Sequence, residues 1–158
     1  MNFVTEHGIG SYEELECKVD AVSARRDTTH TEIKRIESRS AELTLVMKHA
    51  TTYRQLKPIY DRYRKSGDKE KFLRGHESEI ILFEAAAREL KRLGAVPLPT
   101  TESMKTELAK LNAEKERLLT EYKTARTEAQ EYDTVKQNVD ALLAVPKEQE
   151  QQRRHELE

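Results

Sequence analysis

Apolar residues recur in this chain at alternating spacings of four and three, and they do so in two separate runs. The first run reads Leu15, Val19, Val22, Arg26, Thr29, Ile33, Ile36, Ser40, Leu43, Met47, Ala50 and Arg54. The second follows Pro97 and Pro99 and reads Met104, Leu108, Leu111, Lys115, Leu118, Tyr122, Ala125, Ala129, Tyr132, Lys136, Val139 and Leu143. A sustained heptad of this kind places its apolar positions on one helical stripe, which is stable only against another helix. The composition agrees with that reading. Charged residues make up 36% of the chain and aromatics only 6%, with no Trp, which suits a narrow seam better than a thick globular core.

The predicted fold is therefore all-α: two long helices forming an antiparallel coiled coil, with a small helical tip between them. The expected organisation is an N-terminal loop over 1–10, a first arm over 11–57, the tip over 58–100, a second arm over 101–145 and a disordered tail over 146–158. Ser11 and Glu14 read as a capping box that starts the first arm. Pro58 predicts a kink or an end to it. Ser66-Gly67 is a stop signal, Asp68 a cap for a short helix carrying Phe72 and Leu73, and Gly94 a C-terminal cap. Thr100 or Thr101 is expected to cap the second arm, and Pro146 to end it.

Pairing Leu15 with Leu143 sets a register in which Val19 meets Val139, Ile33 meets Ala125, Ile36 meets Tyr122 and Arg54 meets Met104. Lys115 then faces Leu43, close to Glu42. Lys115 and Lys136 read as residues that fix register or extend out of the seam. The same seams can also pair between two chains, which makes a homodimer the alternative arrangement. Ile80 to Leu93 is apolar on most faces and is expected to form the buried centre of the tip.

Few signals for catalysis occur. The five histidines, His7, His30, His49, His76 and His155, are not spaced as metal ligands, so no metal and no cofactor are expected. Cys17 stands alone beside a heptad position and reads as a half-buried structural thiol. No glycine-rich phosphate loop is present, and no carboxylate pair stands out for acid–base work. A non-catalytic chain is the expectation. No apolar run is long enough for a membrane span and no secretory leader is seen, which points to the cytoplasm without membrane insertion.

One segment departs from the background. Between Tyr53 and Gly75 the basic residues are Arg54, Lys57, Arg62, Arg64, Lys65, Lys69, Lys71 and Arg74, against only Asp61, Asp68 and Glu70. The chain as a whole has a net charge of −1, so this excess is local. Cations neutralise phosphates, and the interleaved Tyr53, Tyr60, Tyr63 and Phe72 are of a type that stacks on bases. The candidate nucleic-acid-binding residues are Arg62, Arg64, Lys65, Lys69 and Lys71. In the competing reading the aromatics, which share a helical stripe with Leu56, are the core of the tip and the cations its solvated face.

Several stretches resemble a known family. They are Asn2 to Leu15, the run Tyr60-Asp61-Arg62-Tyr63-Arg64-Lys65-Ser66-Gly67 followed by Lys71-Phe72, Ile80 to Ala86, and Glu121-Tyr122-Lys123 with Val135 to Asp140. In order and spacing they resemble a segment downstream of the nuclease domain in relaxases, the mobilization nucleases of bacterial integrative and conjugative elements. The resemblance spans about residues 2–143. Relaxases nick DNA with a tyrosine nucleophile and a histidine-held metal in an N-terminal domain, and that pattern maps to no position here. The resemblance implies an accessory region that contacts DNA, a relaxosome protein or the secretion machinery. The alternative is a structural spacer or protein-docking arm without DNA contact.

Overall fold

The structure, a computed structural model, describes residues 3–157, apart from the side chains of 145–153 and 155. It is all-helical: α1 (Phe3–Glu6), α2 (Tyr12–Lys65), α3 (Lys69–Arg92) and α4 (Thr101–Glu156), with no strand among the described residues. The chain divides into two compact units, Met1–Lys34 with Glu116–Glu158, and Arg35–Lys115.

The helix ends follow the expected chemistry. The Ser11 hydroxyl accepts from the backbone N–H of Glu14 at 3.2 Å, while the Glu14 carboxylate reaches back to the N–H of Gly10 at 2.6 Å. The first satisfies a donor that the helix start leaves open, while the second reaches one residue beyond the Ser11 N–H that a full capping box would use. The Asp68 carboxylate accepts from Lys71 N–H at 3.1 Å, and the Thr100 hydroxyl accepts from Ser103 N–H at 3.1 Å. Of the two threonines proposed as the α4 cap, Thr100 is the one used. After α3, Gly94 takes φ +70°, a conformation that costs a residue without Cβ little. Ala95 N–H then bonds Leu90 O at 2.9 Å and Gly94 N–H bonds Lys91 O at 3.1 Å, while Leu90 and Ala95 are both buried. This is a Schellman ending with its apolar clasp.

Helix α2 does not stop at Pro58 but runs through it to Lys65. The first arm expected over 11–57 is therefore longer, and the turn lies at Ser66-Gly67. A proline removes one backbone hydrogen bond, and a helix with many residues packed on either side can absorb that loss. The backbone of α4 likewise continues past Pro146 to Glu156, where a disordered tail was expected. The loop expected over 1–10 contains α1. A single break interrupts α3: His76, with φ −137° and ψ 25°, separates a first piece carrying Phe72 from the apolar piece beginning near Ile80.

In the first unit Ile9, Leu15, Val19 and Tyr132 form a buried cluster, with Phe3, Val4, Tyr12, Val22, Val135 and Val139 packed against it. Tyr12 donates to Asp140, Arg25 pairs with Glu128 at 2.5 Å, and the rings of His30 and Tyr122 lie 5.6 Å apart. In the second unit Ile36, Leu43, Val46, Ala50, Met104 and Leu111 are buried with Ile80, Phe83, Ala86 and Leu90 of α3. Lys115 pairs with Glu37 at 3.4 Å and Arg39 with Glu107 at 2.8 Å.

These contacts differ from the expected pairings. Tyr122 lies by His30 where Ile36 was expected, and Lys115 meets Glu37 where Leu43 was expected. Both offsets are close to one heptad. A seven-residue seam looks nearly the same after a shift of one repeat, so apolar pattern alone selects weakly among such registers. Leu143 is 56% exposed, and Val46 is buried in place of Met47. Arg54, expected opposite Met104, instead donates to the Thr101 hydroxyl at 2.7 Å and to Pro99 O at 2.5 Å, which fastens the start of α4 to α2.

Candidate nucleic-acid interface

The basic segment lies in the second unit, at the junction of α2 and α3. Arg62, Arg64 and Lys65 occupy the last turn of α2, and Lys69 and Lys71 the first turn of α3. The connecting Ser66 to Asp68 is held by its own hydrogen bonds. The Ser66 hydroxyl donates to Asp68 O at 3.1 Å, and Ser66 N–H bonds Tyr63 O at 3.2 Å. The two basic turns are thus consecutive along the chain and separated by a short ordered loop.

The aromatic residues serve a different purpose. Phe83 is buried, and the rings of Tyr53 and Tyr60 stack on it at 4.7 and 4.3 Å. Tyr63 lies 6.0 Å from Tyr60 and 6.2 Å from Phe72, which in turn lies 4.6 Å from His76. Aromatic rings at these separations gain from both burial and ring–ring contact. The aromatic half of the competing reading therefore holds: these rings build the core between α2 and α3. The apolar helix expected to be buried on most faces is buried on one, through Ile80, Phe83, Ala86 and Leu90, and leaves Ile81 53% and Leu82 55% exposed.

The cations are arranged otherwise. Arg62, Arg64, Lys65, Lys69 and Lys71 are all exposed, and among the described residues none of the five side chains has an ion pair or hydrogen bond. The acids of the segment are engaged elsewhere. Asp61 pairs with Lys57 at 3.2 Å, Glu70 with Arg74 at 3.8 Å, and Asp68 caps α3. What remains is five unpaired positive charges within two turns that follow one another along the chain. For Arg62, Arg64 and Lys65, the partial negative charge of a helix C-terminus supplies an ordinary structural role. It does not account for Lys69 and Lys71, because positive charge in the first turn of α3 opposes the helix dipole.

Other features bear on chemistry less directly. An open groove of about 320 Å³ at the junction is lined by Ser66, Asp68, Lys71, Phe72, Gly75 and His76. Among the described residues no three His, Cys, Asp or Glu side chains gather as metal ligands. Cys17 is exposed, where half-burial was expected. No helix among the described residues is long and apolar enough to cross a membrane. Sequence reasoning located the five cations but missed the pairing that distinguishes them from Lys57 and Arg74. The i,i+4 spacing of Lys57 with Asp61 and of Glu70 with Arg74 was the available signal. No protein-family model matches the chain, and neither a curated protein nor a solved structure is found to be similar to it.

Proposed function

We propose that this chain is the helical, non-catalytic region of a conjugative relaxase, a mobilization protein, and that it assists DNA processing or transfer by binding DNA at the α2–α3 junction. One observation carries the reading: Arg62, Arg64, Lys65, Lys69 and Lys71 are exposed and unpaired while the neighbouring acids are engaged. Unpaired, solvated cations have no intramolecular partner to give up when a phosphate replaces water. The family assignment is supported by the order and spacing of the motifs from Asn2 to Leu143. The setting is the cytoplasm, where transfer DNA and relaxosome proteins meet.

In this reading α2 and α4 act as an antiparallel coiled coil that carries the basic junction. Support comes from contacts within each unit, where rising α2 numbers meet falling α4 numbers: Tyr12 with Asp140 and Arg25 with Glu128, then Glu37 with Lys115 and Arg54 with Thr101. A second reading, docking to a relaxosome or secretion protein without DNA contact, draws on the exposed Ile81 and Leu82.

The test is fluorescence anisotropy of the chain with labelled DNA at low salt. It is run beside a variant with Arg62, Arg64, Lys65, Lys69 and Lys71 all changed to Glu. Binding that the variant loses supports the proposal. An unchanged affinity in the variant would place the DNA contact elsewhere than at the junction, and no binding at all would move the search to protein partners and to the Ile81–Leu82 face.

A further inference from the structure

We infer that the α2–α3 junction binds through phosphates alone, so that its preferred ligand is duplex DNA and not a single strand. This rests on the DNA reading above and narrows it to one form of the nucleic acid.

Two chemistries bind nucleic acid without reading sequence: cations neutralise backbone phosphates, and aromatic faces stack on unpaired bases. A stacking site needs a ring with a face to offer. Here the rings of the segment pack on one another, and of them Phe72 and His76 also border the open groove beside Lys71. Tyr53 and Tyr60 lie nearly parallel to Phe83, with interplanar angles of 26° and 24°. Tyr63 packs between Tyr60 and Phe72, and Phe72 against His76. Phe83 is only 5% exposed, and the other rings are half-buried. Pulling one of them out to meet a base would break a ring contact and open the core between α2 and α3.

The cations carry no such obligation. All five are exposed and unpaired, and the Ser66–Asp68 loop between them is ordered by its own hydrogen bonds. A binder of this kind responds to phosphate density, which is greatest on a duplex, with one charge per about 1.7 Å of axis.

The experiment measures anisotropy of the full chain with a labelled duplex and with each separated strand, at matched salt. It is repeated for Tyr63→Leu and Phe72→Leu after a thermal melt shows each variant folded. The expected result is tighter binding of the duplex, by about tenfold or more, with both ring variants within about twofold of the parent. Base stacking is worth ~1–3 kcal/mol per base, so a stacking site would lose about fivefold or more in a ring variant. Such a loss overturns the inference. So does equal or tighter binding of the single strand, although the junction then remains a nucleic-acid surface. Absence of binding to either form overturns the DNA reading and this inference together.

Discussion

At Tyr12 the hydroxyl donates to the Asp140 carboxylate, which joins the start of α2 to α4. The proton is held by that acceptor and, secondarily, by partial burial, so the phenol is pushed up from its ordinary 10.0 to about 12. The folded state then keeps a proton that the unfolded state releases first. The stability from this contact is complete below pH 10 and drains away as pH rises toward 12. Tyr12→Phe is expected to melt below the parent at neutral pH, with the gap closing between pH 10 and 12 in paired thermal melts. Asp68 makes a separate, local contribution. Removing the cap with Asp68→Ala should cost ~1 kcal/mol, read from chemical denaturation. Single residues of this kind were legible where the partner is local, as at Ser11, Asp68 and Gly94. They were illegible where the partner is remote. Nothing near Arg54 in sequence indicates that its guanidinium would hold Pro99 and Thr101.

Among the elements, α3 depends on Phe83, which holds the Tyr53 and Tyr60 rings against it. Phe83→Ala is expected to destabilise the second unit by ~3–5 kcal/mol, because it removes a buried ring and leaves a cavity. Hydrogen exchange should show the loss first in α3. The existence of the long helices followed from the heptads, but their partners' register did not. Shifting a seam by one repeat still sets an apolar residue in place of another at several positions, such as Leu43 for Ile36 and Leu118 for Leu111, so the decision falls to contacts the pattern does not contain. Packing of Ile9 on Leu15 and Tyr132, and the Arg25–Glu128 pair, are such contacts. In a Cys17→Ser background, cysteines at positions 25 and 128 should join faster on oxidation than cysteines at 33 and 125. The reverse order would restore the register expected from sequence. Whether Pro58 kinks or ends α2 was left open by the sequence for a related reason: a proline's local cost was visible, whereas the packing that offsets it was not.

Across the whole molecule, basic and acidic residues nearly balance, with a net charge of −1. Affinity for a polyanion therefore depends on where charges are left unpaired. Elsewhere many are matched, as in Arg39–Glu107, Arg92–Glu89 and Arg117–Glu121. The candidate interface was legible as a local excess of basic residues. Its sharper definition came from knowing which of those residues already have partners, and that depends on side-chain placement. The most direct test of the central claim is the salt dependence of duplex binding, measured for the chain and for Arg64→Ala and Lys69→Ala. If all five cations meet phosphates, log affinity should fall against log salt with a slope of about −4.5, and each substitution should flatten it by about 0.9. A slope near zero, or substitutions that leave it unchanged, would contradict the account.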